Sequence, residues 1–193
     1  MRRFLLIIFL LSMYFLLHSC NTRKDNPLLS EPNKYTPIEV IEDSTYFSMT
    51  AHVKTTSYNG RYSPRNVGAM WIEDSEGNFV KTLRVWAANE RKHLVQWKEK
   101  SNSNVVDAIT GATKNSHGTR EAIWNITDMN NNPVGNGTYI LWVEVTEDNS
   151  NSNGKNGKLL SVEFELSDSP QTLIVEDETY FKDIQILIEQ IGE

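Results

Sequence analysis

Between Tyr46 and Ile188 the apolar side chains recur at every second position, and no stretch sustains the 3.6-residue period of an amphipathic helix. "YFSMTAHVKT" (Tyr46 to Thr55) alternates, and so does "VGAMWIE" (Val67 to Glu73). "NFVKTLRVW" places Phe79, Lys81, Leu83 and Val85 on one face and Val80, Thr82, Arg84 and Trp86 on the other. The intervening "DSEG" (Asp74 to Gly77) is turn chemistry with Gly77 free to take a positive φ, so these two segments form a hairpin. "HLVQW" (His93 to Trp97) is expected to be a short further strand, followed by "REAIWNI", "TYILWVEVTE", "LLSVEFEL" and a last pair, "TLIVE" and "IQILIE". Ile184, Ile186 and Ile188 alternate and are β-branched, which favours a strand there over a helix at Ile184 to Ile191. Short alternating strands with turn signals at about ten-residue spacing predict an all-β chain folded as an antiparallel β-sandwich. "NSNSNGKNGK" (Asn149 to Lys158) is expected to be a solvated, mobile hairpin tip.

The amino end follows a different logic. In "MRRFLLIIFLLSMYFLLHSC", Arg2 and Arg3 precede an apolar run from Phe4 to Leu17. A basic start before an apolar run of this length reads as an export signal, with an uncleaved anchor as the alternative. The ending Leu17-His18-Ser19-Cys20 resembles a bacterial lipoprotein signal. Leu stands at −3, a small residue at −1 and Cys20 at +1, and His18 at −2 departs from the pattern. The resemblance implies residues 1–19 as signal peptide and Cys20 as the lipidated, palmitate-bearing residue. Residues 20–42, with Pro27, Pro32 and Pro37, then form a flexible tether reaching about 25 Å as a coil. Residues 43–193 are left as one domain, large enough for a single core. The expected location is the bacterial cell envelope, extracytoplasmic, periplasmic or at the cell surface, with the membrane reached through the lipid anchor.

Cys20 is the only cysteine, so thiol catalysis, zinc thiolate sites and iron–sulfur clusters are excluded. Loss of residues 1–19 removes two of 19 basic residues and no acids, leaving 17 against 25 and a net charge of −8. That balance argues against a nucleic-acid partner.

"AIWNITDMNNNPVGNGTYILWVEV" (Ala122 to Val145) resembles the immunoglobulin-like repeat of flagellar hook-cap proteins and bacterial sorting domains. The local logic is that Trp124 packs in the core, Asp128 and Asn130 to Asn132 satisfy a turn, Gly137 turns the corner and Tyr139 leads into a buried strand. The resemblance sharpens the expected fold to an immunoglobulin-like sandwich. A wider block is similar, in the same order, to domain-of-unknown-function family 2271, a family of bacterial exported proteins. It comprises "AMWIEDSEGNFVKTLRVW", "LVQWKEK", "VDAITGAT" and the Trp124 to Val145 segment, within about Met49 to Ile188.

"DAITGAT" (Asp107 to Thr113) fits Asp-x-x-(Ser/Thr)-Gly-Ala-(Ser/Thr) and resembles the acceptor site of FAD:protein FMN transferase. That resemblance implies covalent FMN on the Thr113 hydroxyl, with Asp107, Thr110, Gly111 and Ala112 as recognition positions. Small neighbours leave room for an enzyme to enter, and Gly111 is expected to take a φ that bulkier residues avoid. A chance match is expected about once in a thousand chains of this length and average composition. A structural turn, in which Asp107 caps, Thr110 and Gly111 bend and Ala112 packs, stands beside the acceptor reading, and both stay open.

His117, four residues beyond Thr113, is the histidine placed to contact a flavin or haem, or else is a solvated loop residue. His52 and His93 fall in strand patterns. Trp71, Trp124 and Trp142 are expected in the core. Trp86 and Trp97, flanking Arg91 and Lys92, are expected as an exposed pair. "DMNNNP" begins like a calcium loop, but Pro133 and Tyr139 stand where Gly and Glu are needed, so a polar turn is expected. No nucleophile elbow, P-loop, dinucleotide fingerprint or metalloprotease motif is present. The expected function is an electron carrier with covalent FMN on Thr113, rather than a catalyst, with a membrane reductase as partner. The alternative is a non-enzymatic interaction or ligand-binding module of the envelope.

Overall fold

A computed structural model describes residues 46–192. The expected signal peptide, Cys20 and the expected tether lie outside the described residues. Nine strands make two sheets: β1 (Tyr46–Thr55), β2 (Val67–Asp74), β3 (Phe79–Trp86), β4 (Ile109–Gly111), β5 (Gly118–Trp124), β6 (Gly137–Thr146), β7 (Lys158–Leu166), β8 (Gln171–Val175) and β9 (Phe181–Ile191). One sheet has the order β5-β1-β9-β8 and the other β4-β3-β2-β6-β7. The expected β-sandwich is therefore the fold. Every pairing between named strands is antiparallel except β3 with β4, which run parallel.

The alternation sets what faces inward. Met49, Ala51 and Val53 of β1, Ile184, Ile186 and Ile188 of β9, and Leu160, Val162, Phe164 and Leu166 of β7 all enter the inter-sheet core. Between the core residues of β7, Ser161, Glu163 and Glu165 stay in water. β2 is buried on both faces. Met70 and Ile72 join that core, while Val67, Ala69 and Trp71 enter a second cluster with Val85, Ala87, Leu94 and Trp97. The 3-10 helix Ala88–His93 and α1 (Val95–Ser101) supply that outer cover.

The cover corrects two expectations. "HLVQW" is no strand, because Leu94 and Trp97 stand three residues apart and both bury completely, which is helical spacing. Trp86 and Trp97 are not an exposed pair. Trp86 is 1% exposed in the inter-sheet core and donates to Asn66 Oδ1 at 3.0 Å. Trp97 is 0% exposed and donates to Thr82 Oγ1 at 3.0 Å. Trp71 and Trp124 are buried as expected, whereas Trp142 is half-buried and stacks on Trp71 with ring centroids 6.0 Å apart.

β3 also breaks its simple two-face pattern. Register shifts opposite Met70/Trp71 and Ile72/Glu73 bulge the strand, so Val80, Leu83 and Trp86 share the inter-sheet core and Phe79 and Val85 face the outer cluster. The β2–β3 turn forms as expected, with Gly77 at φ +80 and Asp74 Oδ1 accepting from the Glu76 and Asn78 N–H groups. The Asn149 to Lys158 stretch is less open than expected. It winds a helical turn, α2 (Ser150–Asn153), whose buried Ser150 hydroxyl meets Thr146 Oγ1 at 2.8 Å.

Trp124 packs edge-on to Tyr139 at 5.2 Å inside the core. The Asp128 carboxylate accepts from the Asn130 and Asn132 N–H groups at 2.8 and 2.9 Å. The Asn132 side chain and these backbone donors hold Asp128 below the usual carboxylate range. The DMNNNP segment is a polar turn that consumes its own carboxylate.

Candidate functional site

The Asp107 to Thr113 segment is tied down at each end. Thr82 donates to Asn104 O at 2.7 Å, and Asn104 Oδ1 accepts the Val106 N–H at 3.0 Å. Asp107 follows in the left-handed region at φ 55, exposed, with Oδ2 3.8 Å from the buried Lys81 ammonium. Lys81 is itself committed, donating to Asn131 Oδ1 at 2.7 Å and Thr127 Oγ1 at 2.8 Å. Ile109–Gly111 then runs alongside β3, with Ile109 opposite Arg84, Thr110 opposite Val85 and Gly111 opposite Trp86. The motif is thus the edge strand of the five-stranded sheet, with all three residues exposed.

Gly111 does not take the special φ expected of it. It is absent from the positive-φ glycines, and a methyl added there would meet nothing within 4 Å. What glycine provides is open space. Ala112 is exposed as well, rather than packed. Thr113 is half-buried, and its hydroxyl makes one long bond, 3.5 Å to Ala87 O, at the edge of hydrogen-bonding distance. Lys114 and Asn66 exchange backbone bonds at 2.9 and 3.0 Å immediately after it, which fixes Thr113 in place.

His117 is neither solvated nor free. Its side chain is 11% exposed, with Nε2 2.7 Å from Glu147 Oε1 and Nδ1 3.0 Å from Thr55 Oγ1. Glu147 Oε2 accepts the Tyr58 and Gly60 N–H groups at 3.1 and 2.8 Å. Burial by itself would raise the Glu147 carboxyl. The Gly60 N–H, His117 and Ser57 outweigh it and hold the group below the ordinary glutamate range. His117 thereby pins the segment following Thr113 to the ends of β1 and β6.

Thr113 opens onto a cleft of about 350 Å³. Its walls include Tyr62 and Arg65 from the β1–β2 connection, Glu90, Lys92 and His93 from the 3-10 helix, and Glu147 beyond β6. Neither Tyr62, Arg65 nor Glu147 is signalled by spacing in the sequence. His93, read as a strand residue, is buried at the end of the 3-10 helix, where Nε2 lies 3.3 Å from Glu90 Oε2. His52 sits in β1 beside Glu121 at 3.8 Å, away from this cleft's walls. Among the described residues no group of three or more His, Cys, Asp or Glu is arranged to hold a metal ion.

The model of domain-of-unknown-function family 2271, described as a predicted periplasmic protein, matches residues 47–183. That span runs from β1 into β9 and contains the whole Asp107 to Thr113 segment. No curated protein and no solved structure matches the chain.

Proposed function

Because the chain belongs to domain-of-unknown-function family 2271, a family of predicted periplasmic proteins, we propose that it carries FMN on Thr113 as an extracytoplasmic electron-transfer scaffold. One observation carries the reading. Thr113 stands half-buried two residues beyond an exposed edge strand, next to the open Gly111 and Ala112, with a single 3.5 Å bond to hold its hydroxyl inward. A nucleophile that an enzyme must reach needs such a setting. The setting also suits attachment: a weakly held hydroxyl for the phosphoester, beside a cleft of about 350 Å³.

In attachment, the Thr113 Oγ forms a bond to the FMN phosphorus of FAD, the pyrophosphate P–O bond breaks, AMP leaves and the hydroxyl proton goes to a base of the transferase. The bound flavin would supply one- and two-electron chemistry, and the protein would supply position. Asp107, Thr110, Gly111 and Ala112 present the recognition strand, and His117 orients its far end through Glu147. Cys20, outside the described residues, would hold the chain at the membrane near an electron-transferring reductase.

The full chain, co-expressed with an FAD:protein FMN transferase directed to the same compartment, should show in-gel flavin fluorescence and the added mass of one FMN. Thr113→Val should abolish both, and Thr113→Ser should retain them. Absence of added mass on the wild type overturns the flavin reading. A second reading, a binding module without cofactor, is favoured by Ile123 and Ile174, exposed on the two edge strands of the four-stranded sheet.

A further inference from the structure

We propose that the transferase which loads Thr113 docks by adding a strand of its own to the free edge of β4, with Ile109 and Val106 as its apolar anchors. The inference rests on the flavin reading of Thr113. It assigns two residues that the Asp-x-x-(Ser/Thr)-Gly-Ala-(Ser/Thr) pattern leaves open, since Ile109 fills one of its x positions and Val106 lies outside it. Three features point to it.

The first is an unpaired backbone edge. β4 ends the five-stranded sheet, with β3 on one side and no strand on the other. The Gly111 C=O accepts the Ala87 N–H at 3.1 Å, so the backbone polar groups of Gly111 face β3. Successive residues of an extended strand turn these groups to opposite sides, which puts the N–H and C=O of exposed Thr110 at the open edge. Ile109, Thr110 and Gly111 carry neither charge nor proline, two of the devices that close an edge to pairing. The three-residue length limits the edge to a short partner strand.

The second is apolar surface at that edge. Ile109 is 48% exposed and Val106 is 45% exposed. Met129, 38% exposed, joins the same loop through the Asn104 side-chain N–H, 3.7 Å from its Sδ, and Asn104 Oδ1 accepts the Val106 N–H at 3.0 Å. A single exposed apolar residue needs no explanation. Three beside one unpaired edge supply what strand addition uses, main-chain bonds for affinity and side-chain anchors for specificity.

The third is position, which selects the occupant. Thr113 follows β4 by two residues, Ala112 between them is exposed, and a methyl on Gly111 would meet nothing within 4 Å. Immediately beyond Thr113 the chain is paired again, with Lys114 and Asn66 exchanging backbone bonds at 2.9 and 3.0 Å. The free edge therefore runs up to the Thr113 hydroxyl and stops there. An enzyme that brings its active site to that oxygen has β4, rather than the paired segment after it, to hold.

The test uses the full chain with an FAD:protein FMN transferase, and added FMN mass reports loading. Ile109→Thr with Val106→Thr keeps β-branched residues at both positions and removes the apolar anchors. This variant should lower kcat/KM for loading by about tenfold or more, with tryptophan emission and melting temperature unchanged. Ile123→Thr, on the edge strand β5 of the other sheet, should load at the wild-type rate. With FAD left out, saturating transferase should slow hydrogen exchange at the Thr110 amide, which a docking made through side chains alone does not bond. No FMN mass on the wild type defeats the flavin reading and this docking with it. Full FMN mass at the wild-type rate on the Ile109→Thr, Val106→Thr chain, with no protection of the Thr110 amide, defeats the docking alone.

Discussion

His117 Nε2 lies 2.7 Å from Glu147 Oε1, across 30 residues of sequence, and the carboxylate between them and the Gly60 amide is fully buried. His117→Ala strips one donor from that carboxylate and should cost about 2–3 kcal/mol in urea unfolding. Because Glu147 is held below the ordinary glutamate range, its contribution is fully present above about pH 4.3 and is lost as pH falls through the lowered folded value. Glu147→Gln should flatten that acid limb of the stability curve. An unchanged limb would show that the loss comes from other carboxylates.

Glu144 should behave in the opposite sense. Burial raises its carboxyl despite the bonds it accepts from the Trp97 N–H at 2.8 Å and the Gln96 N–H at 3.4 Å. The folded state then holds a proton that the unfolded state releases. Stability contributed here falls as pH climbs from the ordinary glutamate range to the raised value. Glu144→Gln keeps an acceptor for the Trp97 N–H and should remove this decline, whereas Glu144→Ala should cost about 1–3 kcal/mol by orphaning that amide. Paired unfolding curves at pH 5 and pH 8 would decide it.

Asp107 separates a recognition role from a turn role. Asn adopts the left-handed region as readily as Asp, so Asp107→Asn preserves the φ 55 turn and removes only the charge 3.8 Å from Lys81. With the carboxylate exposed and the contact as long as 3.8 Å, and with Lys81 held by Thr127 and Asn131, the pair is worth about 0–1 kcal/mol, so the melting temperature should barely move. FMN loading by the transferase should nevertheless fall. Undiminished loading would falsify recognition through the Asp107 charge. Lys81→Met, which orphans Thr127 and Asn131, should cost about 2–3 kcal/mol and serves as the structural control.

Gly68 sits opposite Trp86 in the β2–β3 register, and a methyl at Gly68 would overlap the indole of Trp86 as well as the Glu144 carbonyl. Neither is the loose end of a flexible chain. Gly68→Ala should therefore cost about 2–3 kcal/mol, with the loss visible as a lower denaturant midpoint and a changed Trp86 emission. A Gly111→Ala control, where the added methyl meets nothing, should leave stability close to wild type.

Legibility in the sequence followed the physics of each segment. β1, β7 and β9 are read correctly because one face is core and the other water, which period two records directly. β2 and β3 carry apolar residues on both faces, so the second cluster beneath the helices leaves no periodic trace, and the two bulges move Leu83 to the face of Val80 and Trp86. The Leu94 and Trp97 helix is seven residues long, too short for its period to stand out from a strand. At the candidate site, the Asp107 to Thr113 segment is visible because it is contiguous. The His117–Glu147 contact and the Arg65, Lys92 and His93 wall depend on separate connections folding together, and no spacing encodes that.

β9, the last strand described, lies in the middle of its sheet with β1 on one side and β8 on the other. A nascent chain that stops short of Phe181 leaves β1 with β5 as its one neighbour and β8 with none. Closure of the four-stranded sheet thus waits for β9 to be synthesised, and the contact that completes it pairs β9 with β1, far away in sequence. For a member of a family of predicted periplasmic proteins, this strand order is a built-in delay, leaving the thread slack until β9 has emerged.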